Sequence, residues 1–308
     1  MPQVGASEKD DVEEEKNVAE KFEPQVKAAV KLRDDAVEPA GFYDVVAALP
    51  AARRTQELVE QLHRTASAAA VNDQVEAVTL DECLAAGGGT RSSRIAAYWA
   101  TAEAAALRQV WNQKLAQLDA LAQSTMRFRE SPGGAVAMLE VHGARLAAQT
   151  SQVETSADLL AARWRLTDLL NRSHAQPWLT AATVPHAGRY DTKLESLSAE
   201  SSLRRRLEQP AASLASLHEI MQFRAEAVTA SDQASEATLQ RYAAGRCAVS
   251  APLEAIREQT ALTQALLETT TRYNREIADY ALRLLPSETP STTLVSALVV
   301  NRSGAGSR

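Results

Sequence analysis

Cysteine is nearly missing from this chain: Cys83 and Cys247 are the only two in 308 residues. That excludes a disulfide framework and any Cys-x-x-Cys metal knuckle. Aromatic residues make up 5% of the chain although 45% of it is apolar, and alanine supplies much of the difference. Helices approaching one another closely are therefore expected, rather than a wide core of large interdigitating side chains. With 12 Gly and 11 Pro, and few alternating Val, Ile, Thr and Tyr runs, the chain lacks the turn rhythm of a sandwich or barrel, so an all-β fold is excluded. No run of about 18 apolar residues exists, so no helix is expected to span a bilayer.

Positive charge is also scarce. The net charge is −6, and Arg204, Arg205 and Arg206 form the single short basic run. Phosphate binding needs clustered Lys and Arg, so no nucleic-acid partner is expected. The first residues, MPQVGASEKDDVEEEKN, are the reverse of a signal peptide, which opens with basic residues before an apolar run. Taken as complete, the chain reads as cytoplasmic.

What is present is helical periodicity. Residues 1–39 form a charged tail, expected to be largely disordered, and residues 287–308 a second such tail in which only 294–300 is apolar. Between them, 40–171 is a first helical half. It comprises a helix over 44–70 kinked at Pro50, then helices over 91–128 and 135–170 separated by Ser131-Pro132-Gly133-Gly134. That turn signal is too short to do anything but reverse the chain. In the 135–170 helix, Leu139, Leu146, Val153 and Leu160 stand seven apart, with Ala157 and Trp164 beside them, and His142 is placed on the same seam as a core histidine. A connecting segment over 172–209 contains one alternating stretch, Tyr190, Thr192 and Leu194, that predicts a short strand. A second hairpin over 210–286 turns at 243–250.

Its returning helix carries the clearest pattern. Leu253, Ile256, Thr260, Thr263, Leu267, Thr270, Asn274, Ile277, Ala281 and Leu284 are spaced three and four throughout, a heptad seam, with Leu266, Tyr273 and Tyr280 as a second column. Pro252 suits the first turn and Pro286 ends the helix. At about 1.5 Å per residue the helix is roughly 50 Å long. The fold class is therefore mainly all-α: elongated, duplicated antiparallel helical hairpins with coiled-coil packing, and at most a few short strands in the connecting segments.

Chemistry is thin. His63, His142, His174, His186 and His218 show no metal-ligand spacing, so neither a metal nor another cofactor is expected. Gly87-Gly88-Gly89-Thr90 lacks the lysine of a phosphate cradle and reads as a flexible joint. No convergent polar site is visible, and no enzymatic activity is expected.

The residues Arg241-Tyr242-Ala-Ala-Gly245-Arg246, and further on Thr271-Arg-Tyr273-Asn274-Arg-Glu-Ile277-Ala278-Asp-Tyr280-Ala281-Leu282, resemble the last hairpin of the TolC-type outer-membrane efflux proteins. Val78-Thr-Leu-Asp-Glu-Cys-Leu-Ala and Arg94-Ile-Ala-Ala-Tyr-Trp resemble the start of that family's first hairpin. The resemblance spans roughly residues 78–285. It implies a trimeric exit duct in the outer membrane and periplasm, with two hairpins per protomer forming a tapered helical barrel and four strands per protomer a membrane pore. It also implies a periplasmic adaptor and an inner-membrane pump as partners. By the same resemblance, Arg241, Tyr242, Gly245, Arg246, Pro132, Gly133 and Gly134 would contact the adaptor at the tip. Leu253, Ile256, Leu267, Tyr273, Asn274, Ile277 and Leu284 would form the packing seam. The competing expectation is a soluble coiled-coil scaffold whose seams bind partner helices.

Overall fold

The computed structural model describes residues 51–71, 75–174, 178–199 and 201–299. The charged tail expected at 1–39 and the kink at Pro50 lie outside these. The fold is mainly helical. Its order is α1 (Ala51–Val71), β1 (Val75–Val78), α2 (Leu80–Ala85), α3 (Arg91–Met126), α4 (Gly134–Leu169), β2 (Trp178–Ala181), α5 (Ser202–Ala243), α6 (Ser250–Leu284) and α7 (Ser291–Leu298).

Four long helices form a row in the order α4, α3, α6, α5. The pairs α3 with α4 and α5 with α6 are antiparallel hairpins, α3 packs on α6, and α1 crosses α3 and α5. The two inner helices carry the core. Ile95, Tyr98, Trp99, Ala102, Ala106 and Val110 of α3 are buried, as are Ile256, Leu266, Leu267, Tyr273, Ile277 and Tyr280 of α6. Each leucine fully removed from water contributes about 1.5–3 kcal/mol. Small residues let the helices close up: the Thr101 hydroxyl, donating to Ala97 O in its own helix, also lies 3.3 Å from Ala162 O of α4.

Local sequence sets the boundaries. Thr79 and Thr90 cap α2 and α3 through reciprocal capping boxes with Glu82 and Ser93, each satisfying amides that the first turn leaves unpaired. Helix α5 ends in a Schellman motif. Gly245 sits at φ +70°, the Arg246 amide donates to Arg241 O and the Gly245 amide to Tyr242 O, both at 2.8 Å. Only glycine takes that left-handed position without cost.

Several expectations need correction. The column Leu139, Leu146, Val153 and Leu160, with Trp164, does not face the bundle but is exposed, between 43% and 70%. Instead Val141, Ala148, Thr155, Leu159 and Leu166 are buried; Val141 and Ala148 share a core cluster with Leu118 and Leu121 of α3, against which Trp111 and Leu115 also pack, so there α3 supplies the large side chains and α4 the small ones. His142 turns outward with the exposed face. Residues 202–209, expected within a connecting segment, are helical. Ser201 caps α5 by accepting from the Arg204 amide, and Pro210 lies buried inside the helix. No strand forms at 190–194. The two strands among the described residues are β1 and β2, paired in parallel with Val75 opposite Trp178 and Val78 opposite Ala181. Finally, 287–308 is not wholly a disordered tail. Its apolar run forms α7, which docks on α2 and α6 and buries Leu294 and Leu298.

Candidate functional site

The two hairpin turns meet at one end of the row. The Tyr242 hydroxyl, near the end of α5, donates to Thr125 Oγ1 of α3 at 3.1 Å, and its ring meets that of Phe128 edge to face at 5.6 Å. This pair welds one hairpin tip to the other. Such an aromatic pair adds about 0.5–1.5 kcal/mol beyond its burial. Between the turns lies a cleft of about 500 Å³ lined by Phe128, Pro132, Val136, Tyr242, Cys247 and Val249 among others.

Two glycines shape the first turn. Gly133 has φ +88°, and a Cβ on Gly134 would lie 2.2 Å from Phe128 O, so α4 can start only where that residue has no side chain. Pro132, Gly133, Gly245, Arg241 and Arg246 are exposed, whereas Tyr242 and Gly134 are buried. The structure thus brings the resemblance's tip residues together. The five exposed ones face outward from the two turns or from the end of α5, while Tyr242 and Gly134 hold the turns in shape.

At the other end of the row, the connecting segment is strapped to the inner helices by side chains that copy backbone pairing. Asn274 Oδ1 accepts from the His186 amide at 2.9 Å, and its Nδ2 donates to His186 O at 2.8 Å. The Tyr273 hydroxyl donates to Gly188 O at 2.8 Å and accepts from the Tyr190 amide at 2.9 Å. Tyr280 donates to Thr192 O. Helix α3 repeats the device: the Tyr98 hydroxyl donates to Val78 O at 2.9 Å and accepts from the Thr183 amide at 2.8 Å. Burial pushes the phenols of Tyr98 and Tyr273 up to about 12, which keeps each one a neutral donor across the physiological range.

Of the seam residues, Ile256, Leu267, Tyr273, Asn274 and Ile277 are buried, and Leu253 and Leu284 are half-buried at the two ends of α6. Asn274 and the tyrosines therefore act as clamps as well as packing groups. Sequence reasoning missed two members of this end. Tyr98 is one. The other is Arg94, buried on α3, which donates to Leu84 O and Gly89 O at 3.0 Å. The Gly87-Gly88-Gly89 loop is thereby fixed, not a loose joint: a Cβ on Gly88 would meet Leu169 O at 2.4 Å. An arginine and a tyrosine four apart on an otherwise apolar helix face were the available signal.

Among the described residues, no group of three or more His, Cys, Asp or Glu side chains could hold a metal ion, and no helix is long and apolar enough to cross a membrane. His174 Nε2 lies 2.8 Å from Asp168 Oδ1, and its ring stacks on Trp164 at 4.2 Å. This cluster ties the end of α4 to the segment that follows. The row of long helices thus carries a cleft between its two turns at one end and a strapped connecting segment at the other. Comparison with protein-family models, curated proteins and solved structures finds no match.

Proposed function

We propose that this chain is a wall element of an oligomeric helical passage of the TolC type, through which small solutes are exported. Its trimeric state, its periplasmic adaptor and its inner-membrane pump come from the sequence resemblance alone. The observation that carries the reading is the pairing of two hairpins of matched length. Helices of 36, 36, 42 and 35 residues stand side by side with both turns locked at one end by Tyr242, Thr125 and Phe128. Helices of about 36 residues are roughly 54 Å long, a length that suits a duct wall better than the core of a compact domain. The action of such an element is steric and electrostatic, and it needs no catalytic group.

The soluble scaffold is the second reading. One observation favours it: among the described residues the strands are four residues each, well short of the ~9–11 a membrane strand needs. Dye efflux separates the two. Cells deprived of the protein should retain a fluorescent efflux dye and recover export when the gene is restored. Retention that is unchanged by loss of the protein overturns the transport reading.

A further inference from the structure

Two imidazoles stand against the ring of Tyr273, which fastens the connecting segment to α6. His186, on the strapped segment itself, stacks on that ring at 6.3 Å with the planes 21° apart, and His218, on α5, meets it at 6.1 Å with a tilt of 40°. The strap bends to admit its own imidazole, since a Cβ on Gly188 would lie 3.0 Å from His186 Cε1. His218 lies where α5, α6 and the strap meet. Its Nε2 is buried and finds no hydrogen-bond partner among the described residues. A neutral imidazole can leave one nitrogen bare as a lone pair, but an imidazolium carries a hydrogen on both and needs an acceptor for each. The fastened strap supplies none at Nε2.

The charges around His218 act in the same direction. Burial, and then the cationic Arg189 of the strap, hold the imidazole below its usual range. Among the described residues no carboxylate offsets this. Asp191, the nearest acid along the strap, accepts from the Lys193 amide at 3.1 Å. Glu219 beside it on α5, and Arg272 and Glu276 on either side of Tyr273 on α6, add nothing to the field at His218. Helix α1 reaches the strap with an uncharged group, Gln56 Oε1, which accepts from the Ala187 amide at 2.7 Å. The other fastenings are Tyr273, Asn274 and Tyr280, none of which changes charge between pH 5 and 8. Protonation of His218 becomes easy only when the strap lifts, because water then reaches Nε2 and Arg189 moves away.

We propose that His218 makes the strap over residues 186–192 a pH-sensitive fastening, held while the imidazole is neutral and released when it is protonated. The fastened form binds the proton more weakly than the lifted one, so the strap is fully held above about 6.5 and is lost progressively as pH falls below that value. Release bares the Tyr273 and Asn274 side chains that now bond to the strap, while the two hairpins stay packed. The inference goes beyond the passage and scaffold readings alike and rests on neither.

The test is amide protection of the full chain at pH 7.5 and 5.5, each corrected for intrinsic exchange. Protection at 186–192 should fall by about 3- to 10-fold, the span open to a single proton below 6.5, while protection at the hairpin tip stays level. His218→Gln, which fills the same place without a titrating group, should hold the strap equally at both pH values with His63 still present. Arg189→Gln should make the fall smaller. Should the glutamine variant fail to fold, proton NMR of the parent decides, with the His218 imidazole titrating below 6.5. A His218 that titrates at or above 6.5, a parent whose strap is equally protected at both pH values, or an equal fall in His218→Gln would overturn the proposal. Dye export plays no part in these measurements, so the fastening and the passage stand or fall separately.

Discussion

Tyr273 and Tyr190 are joined by a hydrogen bond in which the amide of Tyr190 donates to the phenol of Tyr273 at 2.9 Å, while the same phenol donates onward to Gly188 O. One side chain on an inner helix thereby satisfies two backbone groups of a segment that has no strand partner. Tyr273→Phe keeps the ring and removes both bonds, leaving a part-buried amide and carbonyl unmet. A loss of about 1–3 kcal/mol is expected in urea unfolding. Amide exchange should rise at 186–192 and stay unchanged at the hairpin tip. Equal exchange in variant and parent would show that the strap is held by other contacts.

The glycines at the tip should separate by cause. Gly245→Ala faces only the cost of φ +70°, since the nearest atom to a new Cβ would be 3.9 Å away, and about 1 kcal/mol is expected. Gly134→Ala drives a Cβ into Phe128 O and must move backbone, so its loss should be clearly the larger. Melting temperatures of the two variants rank them, and the reverse order would contradict the described turn.

Leu267 has no exposed surface. Leu267→Asp places an unpaired carboxylate in the core of α6, and a loss above about 3 kcal/mol is expected, enough to prevent folding. Thr263 makes its hydrogen bond within its own helix, to Gln259 O at 2.8 Å, so Thr263→Leu strands no other segment's donor or acceptor and should melt close to the parent.

Burial pulls His63 of α1 down to about 4 from 6.5. The unfolded chain takes up that proton as pH falls through 6.5, whereas the folded chain resists until about 4. Stability from this site is therefore complete above 6.5 and drains away between those values, by about 3 kcal/mol in all. His63→Leu should flatten this part of the acid limb in urea midpoints measured across the window. An identical slope in the variant would place the acid sensitivity elsewhere.

The two cysteines should differ in reactivity. Burial raises the Cys83 thiol to about 11, and its Sγ lies 3.7 Å from Arg94 O, while Cys247 is half-exposed at the tip cleft. A thiol reagent should modify one cysteine in the native protein and two in denaturant. Two fast sites in the native protein would mean that α2 opens readily.

The long helices and their turns were legible in the sequence because heptad spacing and the Ser-Pro-Gly-Gly signal act locally. The choice between the two seven-spaced columns of α4 was not. Leu139, Leu146, Val153 and Leu160 are the more apolar, but where Val141 and Ala148 are buried α3 already presents Trp111, Leu115, Leu118 and Leu121, so the smaller set fits, and that depends on the neighbour rather than on α4 itself. The hydrogen bonds that Asn274 and Tyr280 make to the backbone at 186 and 192 were equally hidden, since they join residues 88 apart. Periodicity marked the two side chains for the core without showing what they would hold there. Helix α7 was missed because eight residues just after a proline bury too little alone, and it forms by docking Leu294 and Leu298.

The parallel pairing of β1 with β2 ties together positions roughly a hundred residues apart. For a flexible chain, closing such a loop costs several kcal/mol, about (3/2)RT ln n plus a constant, and two four-residue strands return little of it. Once α3 and α4 have folded back on each other, however, their ends already lie together and only short connections are left to close. The sheet is therefore a latch rather than a nucleus: it should form last, and it should be the first element released when the first hairpin loosens.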